Sequence, residues 1–123
     1  MFHDDAHKNA VLVSAMDHKM EFIYLNDGAD FLKWKDMTLF LIEACDLHHA
    51  LYEEAPRVPI ENSTEEKEKY DLKAKQWEKS NHCSLLMMKH TMSSEIKNAI
   101  PDSVYVKYYL ASIEEYFKDA LPV

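Results

Sequence analysis

Glycine is nearly missing from this sequence: Gly28 is the single one in 123 residues. Hairpin-rich proteins draw on glycine for positive φ at their turns, so its scarcity argues against a β architecture and for a mainly helical one. Cysteine is almost as rare. Cys45 and Cys83 are too few for a disulfide framework, and reduced thiols are the expectation. Positive charge is also short, with 14 Lys and Arg against 22 Asp and Glu and a net charge of -8. Phosphate backbones are bound by cationic neutralisation, so direct nucleic-acid binding is not expected. No apolar run approaches the roughly 20 residues that span a bilayer, and the start MFHDDAHKN lacks the basic-then-apolar order of a secretory signal. The expected location is cytoplasmic, with no membrane contact. No nucleophile motif or catalytic cluster stands out, so no enzymatic activity and no cofactor are expected.

What the chain does have is an ordinary globular mixture, 47% hydrophobic and 29% charged, at a length that suits one core. Residues 1–19 read as an N-terminal arm and residues 20–123 as one helical domain. MEFIYLND, from Met20 to Asp27, is rich in strand-favouring side chains and ends in a DG turn signal, which predicts an extended segment. Asp30 is a candidate N-cap for a first helix with Phe31, Trp34, Thr38, Leu41, Ile42 and Cys45 on one face. A brief helix is predicted over HHALYEE, stopped by the two prolines of APRVP. Ser63 and Glu66 form a capping-box pattern ahead of a long central helix with Tyr70, Ala74, Trp77, Asn81, Leu85, Met88 and Met92 on one face. Ser94 is the candidate cap of EIKNAI, and Ser103 that of a final helix with Tyr105, Tyr109, Ser112, Tyr116 and Ala120 on a shared stripe. The predicted fold is all-α: a compact bundle of about five helices with a short extended N-terminal segment.

Cys45, His48 and His49 sit within one turn, so the thiol and one imidazole could face a common zinc ion, with His82 and Cys83 as conceivable partners. His82 and Cys83, however, are adjacent and point about 100° apart on a helix. A buried cysteine with surface or partly satisfied histidines is the favoured reading, so no metal is assigned, and whether these three residues bind one stays open. Phe31, Trp34, Trp77 and Met88 recur at helical spacing with other apolar residues and are expected core anchors. Either tryptophan replaced by Ala is expected to cost about 3–5 kcal/mol. The four tyrosines Tyr105, Tyr108, Tyr109 and Tyr116 on one helix suit either a wet interface, where an amphipathic ring keeps its hydroxyl hydrated, or plain packing.

The order of motifs resembles the N-terminal Gag region of plant copia-type LTR retrotransposons. DGADFLKW matches the family's glycine turn, aromatic residue and Trp. ACDLHHALYEEAP, KYDLKAKQWEKSN and MSSEIKNAIPDSVYVKYYLASIEEYF match its later helices and its Pro-Asp-Ser turn, so that residues 20 to 120 are covered. Asp30 stands where the family commonly has Asn, and Tyr109 where many members have Trp. Family polyproteins continue to a second capsid domain and usually a CCHC zinc knuckle, whereas this sequence has no C-x-x-C, so RNA binding is not carried over. The expected origins are a piece of a longer Gag or a shortened gene retained by a host.

The resemblance implies a fold like the capsid N-terminal domain and a function in homotypic assembly. The expected partner is a second copy, as a dimer or larger homo-oligomer, or a related Gag. The other expectation is a host-retained module that meets a host or viral protein and interferes with assembly. Candidate self-association residues are Phe22, Ile23, Tyr24 and Leu25 of the extended segment, which has no evident sheet to join within one molecule and either pairs antiparallel with a copy or lies across its own helices with water on the outer edge, and the four tyrosines of the last helix.

Overall fold

The computed structural model describes residues 23–60 and 63–120, and within them the chain is a compact all-α fold of five helices. The N-terminal arm and Phe22 lie outside the described residues. The helices are α1 (Phe31–Ala44), α2 (His49–Tyr52), α3 (Thr64–His90), α4 (Ser94–Ala99) and α5 (Val106–Tyr116). Short 3-10 turns, Gly28–Asp30 and Lys118–Ala120, lie just before α1 and just after α5.

α1 is entered through its 3-10 turn, where the extended residue Asp27 accepts the Ala29 N–H at 2.9 Å. Asp30 makes no side-chain cap bond, so the cap lies three residues earlier than the sequence pattern suggested. The predicted apolar stripe is the buried face: Phe31, Trp34, Thr38, Leu41 and Ile42 all point inward, joined by Met37. α3 is 27 residues, about 40 Å at 1.5 Å per residue. Ser63 caps it by accepting the Glu66 N–H at 3.2 Å. From Thr64 to Lys73 it is exposed apart from half-buried Tyr70, and the EEKEKYDLK charges are a solvated surface. Its buried seam begins later, at Ser80, Ser84 and Met88.

The core gathers α1, α2, the second half of α3, α4 and α5 around Trp34, Phe31, Met88, Tyr109 and Ile113. Phe31 stacks on Phe117 with ring centroids 5.1 Å apart. In α5 the inward stripe is Val106, Tyr109, Ile113 and Phe117, rotated from the predicted tyrosine stripe because the branched aliphatics claim the core side.

The extended N-terminal segment finds its partner inside the chain. Leu25 donates its N–H to the Thr91 carbonyl at 2.8 Å and accepts the Ser93 N–H at 3.0 Å, a single parallel bridge to the connection between α3 and α4. Its side chain is fully buried. Of the two expected arrangements, pairing with a copy and packing on the chain's own helices, Leu25 follows the second: a backbone polar pair that close to the core must be satisfied, and the partly buried connection after α3 supplies both groups. Leu25 is therefore a core residue rather than part of a self-association surface.

Candidate self-association surface

The N-terminus of α5 is fixed by a residue of α3. Asn81 donates from Nδ2 to the Val104 carbonyl and accepts the Val106 N–H at Oδ1, each at 2.7 Å. One amide thus satisfies an orphan donor of the helix and an acceptor of the segment leading into it. Ser103 caps nothing in α5 itself; its hydroxyl exchanges hydrogen bonds with Tyr105. The clamp pins the start of α5, and the helix turns Val106, Tyr109 and Ile113 inward.

Tyr109 turns inward. It is buried, its hydroxyl reaches Met92 Sδ at 3.7 Å, the Lys89 ammonium lies 5.3 Å from its ring centroid, and burial pushes its phenol pKa up. Its expected place at an interface is corrected: it belongs to the chain's own core. Tyr105, Tyr108 and Tyr116 remain outside, 46%, 52% and 49% exposed. Tyr105, just before α5, and Tyr108 and Tyr116 within it thus leave three aromatic rings half in water.

Trp77 lies at one end of this surface. Half-buried, it donates its indole N–H to the Glu53 carbonyl at 2.9 Å, and its ring centroid is 6.0 Å from that of Tyr105. Tyr105 in turn meets Tyr108 edge-on, also at 6.0 Å. Trp77 is thus a rim residue that packs against the core from outside, whereas Phe31, Trp34 and Met88 are fully enclosed. Tyr108 is the wall between two grooves. One, of about 250 Å³, runs over Ala50, Ala55 and Trp77 and is bordered by the Lys107–Glu54 ion pair at 3.0 Å. The other, of about 460 Å³, runs over Pro101, Ala111, Ser112 and Tyr116. Of the extended segment, Ile23 packs partly buried with its N–H on Met37 Sδ, and Tyr24 is exposed.

The residues weighed for metal binding separate. Cys45 is buried in the core, while His48 and His49 group with Asp46, a residue the sequence pattern did not single out. Neither Cys45 nor His82 and Cys83 belongs to that group. No helix among the described residues is long and apolar enough to cross a membrane. No family model, curated protein or solved structure matches the chain.

Proposed function

We propose that this chain is a homotypic assembly module, similar in role to the capsid N-terminal domain of a copia-type retrotransposon Gag, acting in the cytoplasm. The observation that carries the proposal is the row of exposed tyrosines at the start of and along α5, Tyr105, Tyr108 and Tyr116, with Tyr108 standing between two grooves. Two copies packed α5 against α5 across a twofold axis would set each Tyr108 into a groove of its neighbour, a self-complementary contact. Tyrosine suits this work: it brings a large rigid ring with few rotamers to lose, and its hydroxyl tolerates a wet rim. No reaction and no nucleic-acid contact is assigned to the chain.

Association has to overcome the repulsion between two chains of charge -8, which salt screens. Sedimentation velocity is therefore expected to show mass rising with protein concentration, and more steeply at higher ionic strength. The double substitution Tyr108→Ser with Tyr116→Ser is expected to return the protein to monomer with its helical circular dichroism unchanged, since both side chains lie outside the core. A wild-type chain that stays monomeric at high concentration and high salt would remove the proposal. Association that survives the double substitution would move the interface elsewhere.

A further inference from the structure

α1 ends in a Schellman turn: the Asp46 N–H reaches the Glu43 carbonyl at 3.0 Å and the Leu47 N–H reaches the Ile42 carbonyl at 2.8 Å, with Leu47 and Ile42 both buried. Glycine usually occupies the left-handed position of this turn, and here Asp46 does, at φ 58°. The turn reverses the chain into α2, so that the Asp46 carboxylate comes back over the two residues that open the helix, His48 and His49. Oδ1 of Asp46 lies 3.7 Å from His48 Nδ1 and 3.7 Å from His49 Nε2. The three ligand atoms all fall within 4.8 Å of one another.

Both ring nitrogens are sealed from solvent and have no hydrogen-bond partner. At 3.7 Å neither is hydrogen-bonded to the carboxylate. A buried nitrogen left in that condition is costly, and two of them lie 3.7 Å from one carboxylate oxygen, close enough for an ion to join the three. A tetrahedral ion held at about 2.0–2.1 Å separates its ligands by about 3.3 Å, so small side-chain movements close the gap. The other nitrogen of His49, Nδ1, faces Glu53 Oε2 at 4.0 Å.

We propose that Asp46, His48 and His49 form a binding site for a divalent transition-metal ion, zinc being the natural probe. Two imidazoles with one carboxylate suit zinc, nickel or copper and not calcium or magnesium, which take oxygen ligands. The remaining coordination positions are open to water or to a ligand atom from another molecule.

Titration calorimetry of the purified full chain with zinc chloride is expected to show one ion per chain, accompanied by a rise in thermal midpoint, and magnesium chloride is expected to produce neither. Asp46→Asn keeps a residue that tolerates left-handed backbone, and His48→Gln changes a side chain that is partly exposed. Each is expected to weaken zinc binding about ten-fold or more. Long-range proton–nitrogen spectra of the wild-type chain supply a test that needs no variant: zinc should move the ring nitrogens of His48 and His49 ahead of those of His82 and His90. Wild-type affinity in both variants, zinc shifts confined to the other histidines, or no zinc bound at submillimolar concentration would each overturn the proposal.

Discussion

Trp34→Ala is expected to lower the free energy of unfolding by about 3–5 kcal/mol, as large-to-small changes at buried aromatics do. Trp34 is fully enclosed, and its Nε1–H donates to Thr91 Oγ1 at 2.8 Å. Thr91 is also the residue whose carbonyl takes the Leu25 N–H. Removal of the indole therefore opens a cavity and loosens the C-terminus of α3, where the extended segment docks. Against a total stability near 5–15 kcal/mol, the variant keeps little margin. Trp34→Phe, which keeps most of the volume and drops the donor, should cost about 1–2 kcal/mol and separate the hydrogen bond from the packing. Trp77→Ala should cost less than Trp34→Ala, because that ring already borders solvent and leaves a groove rather than a cavity. Urea unfolding followed by circular dichroism reads all three. Equal midpoints for Trp34→Ala and Trp77→Ala would mean that the two rings are equally enclosed.

That inequality marks where sequence periodicity stops being informative. Both tryptophans fall on apolar stripes at helical spacing, and spacing alone gives them the same standing. What distinguishes them is the length of α3, whose first half extends along solvent, so that a residue in mid-helix sits at the rim. The existence of the helices and the inward face of α1 were legible, since a stripe of branched and aromatic side chains leaves one way to bury it. The caps were less so, for a long-range reason. Ser93, not Ser94, caps α4 by accepting the Ile96 N–H at 3.2 Å. Its own N–H is held by the Leu25 carbonyl, which fixes it in extended backbone and obliges the helix to start after it. Likewise the donor at the start of α5 is satisfied by Asn81, 25 residues away, rather than by the nearby Ser103.

The surface features divide in the same manner. A helix with four tyrosines announces an amphipathic surface, yet only Tyr109 turns inward, on the side shared with Val106 and Ile113. His48 and His49 stand out in any sequence, but Asp46 becomes their neighbour only through the Schellman turn, and an aspartate in left-handed backbone leaves no periodic trace. The zinc proposal and the assembly proposal rest on different residues, Asp46, His48 and His49 in one case and Tyr105, Tyr108 and Tyr116 in the other, so either can fail alone.

The seam that carries both surfaces is polar, and it gives the other large expected effect. Ser80 and Ser84 are completely buried on α3, facing the corner between α1 and α2. The Leu47 carbonyl accepts from both hydroxyls, and Ser80 Oγ also accepts the Ala50 N–H at 2.9 Å. Small side chains let α2 approach closely, and the hydroxyls satisfy the backbone groups that this approach buries. Ser84→Ala alone should cost about 0.5–1 kcal/mol, because Ser80 still serves the carbonyl. Ser80→Ala leaves the Ala50 N–H without a partner and should cost about 1–3 kcal/mol. With both removed the Leu47 carbonyl is orphaned as well, so the double variant should lose more than the sum of the two, by a coupling of about 0.5–3 kcal/mol. The loss should fall first on α2, whose four residues are far too few to hold a helix unaided. Amide exchange at Ala50 is expected to accelerate in Ser80→Ala before global unfolding does. Strict additivity in the urea cycle would show that the two serines do not share that carbonyl, and would separate the placement of α2 from the polar seam on α3.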